Sequence, residues 1–112
     1  GGRVSRSQLF REPTIYFGSM TKFLVSGLRR DLVILVYSLE NPRGQELKRA
    51  LESHYEERIA PREFYGALDQ LETNGFLSKT PDGVHDRYEL TEAGTEALLE
   101  HVDWLEEQME RR

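Results

Sequence analysis

The chain has 112 residues, no cysteine and a formal charge of −5. That length suits one domain whose core is small enough to profit from a partner subunit, and the missing thiols exclude disulfides, thiolate metal sites and thiol redox sensing. No run of about 18 apolar residues is present, which excludes a membrane-spanning helix, and the N-terminal stretch lacks the apolar core of a signal peptide, so the sequence reads as cytoplasmic.

An acid excess argues, taken alone, against a nucleic-acid partner, because phosphate binding needs local positive charge. The distribution is more telling than the sum. Residues 1–30 hold six basic side chains and one acidic, whereas residues 91–112 hold two and seven. Twelve of the fifteen basic residues are Arg and three are Lys, a usage that with the acid excess points to a salt-rich cytoplasm.

Residues 1–21 show no helical or strand period and read as a basic arm or, given Gly1-Gly2 and Gly18-Ser19 before Met20, as a vector-derived remnant. SGLRRDLVILVYSLE then predicts a helix with a stripe of Leu28, Leu32, Leu35, Val36 and Leu39, widened by Val33, Ile34 and Tyr37. Asn41-Pro42-Arg43-Gly44 is the turn that ends it. GQELKRALESHY places Leu47, Ala50, Leu51 and Tyr55 on one face of a second, shorter helix.

In APREFYGALDQLETNGFL the apolar residues Phe64, Ala67, Leu68 and Leu71 fall on one side of a third helix. Arg62, Gly66, Asp69, Gln70 and Thr73 fall on the other, with Tyr65 on the flank. Pro61 suits the first helical position, Ile59 and Phe64 bracket Ala60 as a hydrophobic staple, and Glu63 is spaced to reach back to the Ala60 N–H. Gly75 suits the left-handed position after the last turn, with Phe76 returning to the core. FLSKT, a turn at Pro81-Asp82-Gly83 and VHDRYEL predict a hairpin with Tyr88 and Leu90 on one face and Arg87 and Glu89 on the other. Thr91 is a good N-cap for the last helix, where Leu98, Val102, Leu105 and Met109 recur at spacings of 4, 3 and 4. Such a seam, with Trp104 beside it, is expected to meet another chain.

Three helices, a two-stranded hairpin and a long helix make the order of a winged helix-turn-helix, mainly α with a small β hairpin. Residues 22–90 would form the DNA-binding unit, with a recognition helix over 61–74 and a wing over 76–90, and residues 91–112 a dimerisation helix. PREFYGALDQLETNGFLSKTPDGVHDRYELTEAG also resembles the PadR-like transcriptional regulators: Pro61, Phe64, Tyr65, Leu68, Leu71, Gly75-Phe76, then Tyr88-x-Leu90-Thr91-x-x-Gly94. The resemblance spans about residues 28–110 and implies the short subclass that dimerises through one C-terminal helix. MTKFLVSGLRRD is similar to the start of haloarchaeal members, some of which act in stress responses. Two places depart from the family pattern: Pro61-Arg62-Glu63-Phe64-Tyr65 stands where Pro-Gly-Thr-Leu-Tyr is common, and Arg43-Gly44-Gln45 where His-Gly-Tyr opens helix two.

The residue chemistry matches this expectation. Arg62 near a helix N-terminus suits guanine or phosphate, Gln70 suits adenine, and Gly66 permits a deep approach to the groove. Tyr65 offers a phenol to a phosphate oxygen. Lys79, His85 and Arg87 on the wing, and Arg29 and Arg30 on helix one, are candidates for backbone contact with double-stranded DNA. A homodimer joined through Leu98, Val102, Trp104, Leu105 and Met109 would set two recognition helices about 34 Å apart on a palindromic operator. A flat aromatic inducer stacked on Trp104 is a minor alternative.

His54, His85 and His101 show no i, i+4 pair and no nearby Cys, so no metal site is expected. No nucleophile elbow, phosphate loop or dinucleotide fingerprint is present, so neither an enzyme nor a cofactor is expected. The acidic balance leaves open a winged-helix module that binds another protein and uses no DNA.

Overall fold

The computed structural model describes residues 26–111, so the arm expected over 1–21 lies outside the described residues. Helix α1 (Gly27–Leu39) and helix α2 (Gly44–Tyr55) are followed by helix α3 (Pro61–Thr73). Strands β1 (Leu77–Asp82) and β2 (His85–Leu90) then pair before the long helix α4 (Glu92–Glu110). This is the winged helix-turn-helix order anticipated from the sequence.

Helix α1 is central, packing against α2, α3, β2 and α4. Leu32, Val33 and Val36 of α1 are buried with Leu47 and Leu51 of α2 and with Phe64, Leu68 and Leu71 of α3. Phe76, Leu77 and Tyr88 of the hairpin and Ala97 and Leu98 of α4 close the same core. The wide stripe on α1 is only partly consumed, since Ile34 and Tyr37 stay exposed.

The corner between α2 and α3 is set by one carboxylate. Glu52 accepts from the Ile59 N–H at 2.9 Å and from Lys48 Nζ at 2.7 Å, tying the end of α2 to the residue that precedes the α3 cap. Those donors, the Ile59 amide first, hold the Glu52 carboxyl below its ordinary value. Pro61 does begin α3 and Ile59 and Phe64 are both buried, but no side-chain bond closes the cap at Ala60, so Glu63 does not reach back.

At the other end of α3 the Gly75 N–H donates to the Glu72 carbonyl at 3.0 Å and the Phe76 N–H to the Leu71 carbonyl at 2.9 Å. With Gly75 at φ 85, this is a full Schellman stop.

Leu77 pairs with Leu90 and Asp82 with His85, so Pro81 and Asp82 belong to β1 and the turn is Gly83-Val84, not Pro81-Asp82-Gly83. The physical reason is that a two-residue hairpin loop needs positive φ at its first central position, which Gly83 supplies at 68°. A further pairing joins Arg43 to Arg87, and the Tyr88 N–H donates to the Pro42 carbonyl at 2.9 Å. The α1–α2 turn thereby extends the wing by one bridge.

Helix α4 starts on this hairpin. The Thr91 hydroxyl accepts from the Gly94 N–H at 3.0 Å and donates to the Gly75 carbonyl at 2.5 Å. A Cβ on Gly94 would fall 2.1 Å from the Phe76 carbonyl oxygen, so the close seat of α4 on the hairpin base requires glycine. Leu98, expected at the dimer seam, is 7% exposed and belongs to the core of its own chain. Beyond it one side of the helix turns outward, where exposure climbs through Val102 at 37%, Leu105 at 42% and Met109 at 71%, while Asp103 on the other side is 6% exposed. Among the described residues no helix is long and apolar enough to cross a membrane.

Candidate nucleic-acid interface

Helix α3 buries Phe64, Ala67, Leu68 and Leu71, so its opposite face is turned outward by geometry alone. Arg62, Gly66, Asp69, Gln70 and Thr73 are all exposed on it, as the 100° repeat requires. A Cβ at Gly66 would meet nothing within 4 Å. The fold therefore does not demand glycine there, although glycine inside a helix costs about 0.5–1 kcal/mol relative to alanine.

Tyr65 occupies a definite seat on the flank. Its ring meets Phe64 edge-on at 4.9 Å, and a Cβ on Gly44 would stand only 3.2 Å from its Cε1. It lines a cleft of about 180 Å³ together with Gly44 and Gln45 at the start of α2 and with Val84, His85, Asp86 and Tyr88 of the wing. The first amides of α2 have no partner one turn back, since the helical ladder begins with the Leu47 N–H on the Arg43 carbonyl. Burial, aided by Asp86 and then Asp69, pushes the Tyr88 phenol up to about 12. The cleft thus joins an α-helical N-terminus, two phenols, an imidazole and the Asp86 carboxylate between α3 and the wing.

The structure sorts the basic candidates into two groups. Arg87 donates from Nε to Asp82 at 2.7 Å and from Nη1 to the Asn41 carbonyl at 2.9 Å, and Arg43 reaches the same Asp82 oxygen at 3.5 Å. These two guanidiniums brace the wing against the α1–α2 turn and, Arg87 first, hold the Asp82 carboxyl below its ordinary value. Lys79 lies 3.7 Å from Glu72. Arg29 donates to the Gln70 amide oxygen at 2.6 Å. Arg30 acts electrostatically, with Asp31, on His101 of α4. Arg62 and His85, by contrast, are exposed on α3 and at the wing tip.

The sequence reading missed Arg43, Gly44 and Gln45 as parts of this region. Asn41-Pro42-Arg43-Gly44 signalled only a turn, and one isolated pairing with β2 has no period to betray it. Val84, at the wing tip and 93% exposed, falls at the start of the predicted second strand and carries no signal of its own in the sequence.

On the tail, His101 stacks on Trp104 with centroids 6.1 Å apart, and burial, then Arg30, lowers the His101 pKa. Among the described residues no group of three His, Asp or Glu is arranged to hold a metal ion.

No protein-family model matches the chain. No curated protein matches it either. Solved structures do. The chain is similar to RosR of H. salinarum, at 25% identity and a TM-score of 0.70 over 75% of this chain and 76% of that one. It is similar also to the hsRosR-S4 complex structure, at 27% identity and a TM-score of 0.70 over 80% and 77%. AntR, an antimony-specific transcriptional repressor, superposes over 98% of this chain and 100% of its own with a TM-score of 0.68. At 15% identity that last likeness establishes the fold, which is the winged helix.

Proposed function

We propose that the chain is a sequence-specific DNA-binding transcription regulator of PadR-like type, acting as a homodimer on a palindromic operator. The observation that carries this reading is Gly66: a glycine in mid-helix, on the outward face, with empty space above it. Its helical cost has no return within the protomer, and a close-lying groove wall supplies one.

In this reading α3 lies in the major groove. Arg62 takes guanine or a phosphate, Tyr65 and the N-terminal amides of α2 position the backbone, and His85 with Val84 meets the flanking strand. Arg87 and Arg43 act through the wing, which they hold rigid. Lys79, 3.7 Å from Glu72, contributes a partly neutralised charge, and Arg29 and Arg30 add positive potential from the front of α1. The exposed apolar run Val102, Leu105 and Met109 with Trp104 forms the contact between two copies, which places the two α3 helices about one helical turn of DNA apart.

The test is binding of the purified chain to genomic fragments, with mapping of the sites retained. A palindromic consensus that Arg62→Ala weakens about tenfold, by the about 1–3 kcal/mol of one bidentate contact, is the expected result. Unchanged affinity of that variant refutes the assignment. Retention of a protein partner in place of DNA would favour the alternative that residues 26–111, with ten basic and nineteen acidic side chains, serve as a protein-binding module.

A further inference from the structure

Asp69 sits in the middle of the outward face of α3, one turn beyond Tyr65 and Gly66 and next to Gln70, and it is exposed. Two neighbouring acids are paired, Glu72 with Lys79 and Asp82 with Arg87 and Arg43, whereas Glu63 near the start of α3 is exposed like Asp69. Among the described residues no hydrogen bond or ion pair engages Asp69. A bare carboxylate on a surface meant for a polyanion repels phosphate, so it lowers affinity for every sequence unless one base repays it.

Gln70 presents an amide oxygen with one of its two lone pairs already given to Arg29, which donates to it at 2.6 Å. Arg29 thereby fixes the direction of that amide. The Asp69 carboxylate beside it engages no donor among the described residues.

Resting on the DNA-binding reading above, we propose that Asp69 is a specificity-determining residue that accepts a hydrogen bond from the N4 amino group of a cytosine in the major groove. The choice among bases follows from their edges. Guanine and thymine offer acceptors that a carboxylate repels, and adenine sets its N7 acceptor beside its amino group. Cytosine alone presents a donor without an acceptor on the same base. Asp69 thus discriminates chiefly by penalising the wrong bases, as a buried or groove-bound charge left unpaired does.

The experiment is competition binding of the full chain to operators in which each base pair is replaced in turn, for the wild type, Asp69→Ala and Asp69→Asn. The wild type is expected to require C·G at one position per half-site, with other pairs about 10-fold weaker or worse. Asp69→Ala should flatten that position to within about 3-fold and bind random DNA several-fold more tightly. Asp69→Asn, which adds a donor beside the acceptor, should move the preference there to A·T. A base profile in Asp69→Ala identical to the wild type at every position overturns the proposal while leaving the regulator reading intact. A wild type without any sequence preference overturns both.

Discussion

Two glycines separate packing from function. Gly94 has the Phe76 carbonyl where a Cβ would go, so Gly94→Ala forces α4 off the hairpin. A loss of about 1–3 kcal/mol is expected in urea unfolding, the range for overpacking a tight contact. Gly66 has nothing above it, so Gly66→Ala should stabilise the protomer by up to about 1 kcal/mol through helix propensity while weakening DNA binding. Gain in stability with unchanged binding would remove the observation on which the functional reading stands. Both glycines were legible as letters in a pattern. The helical period already set Gly66 on the outward face of α3, but that Gly94 is demanded by packing was not legible, because that depends on what lies across from its Cβ.

The wing is an element whose rigidity comes from outside it. Its two strands supply Asp82 and Arg87, but the Asn41 carbonyl, Pro42 carbonyl and Arg43 that complete the brace come from a turn about forty residues earlier. Arg87→Ala should therefore lower DNA affinity by loosening the wing, with the oligomeric mass unchanged in light scattering. A pH dependence follows as well. Asp82 and Glu52 both have native pKa values below their ordinary ones of 3.8 and 4.5. Their stabilisation is complete above those values and is lost as pH falls through the lower native ones. Because Arg87 is the first cause for Asp82, the stability gap between wild type and Arg87→Ala should narrow below about pH 4, as urea midpoints from pH 6 to pH 3 would record. Helix α3 and both its ends were readable beforehand, since Pro61, Gly75 and the 3.6-residue period are local signals. The bridge from Arg43 to Arg87 was not, because one long-range pairing leaves no period in either segment.

At the scale of the whole molecule, α4 is the deciding element. Its first turns are core and its last turns carry exposed apolar side chains, so Leu105→Glu should leave the protomer folded and reduce the light-scattering mass from two chains to one. A mass still equal to two chains would count against the tail as the contact between copies. The heptad-like spacing of 98, 102, 105 and 109 described one continuous seam, yet Leu98 faces the protomer's own Ala97-lined core and only the remaining three face outward. Spacing reports which residues share a side of a helix, and it carries no information about how far along that side the neighbouring body extends. Element order, the outward face of α3 and the polarised charge were written in local periodicity and composition, since each depends on residues a few positions apart. The partners of Arg87, Arg29 and Lys79, and so which cations remain free, came only with packing. Charge neutralisation is a matter of distances between segments remote in the chain, and those distances exist only once the helices have closed on their shared core.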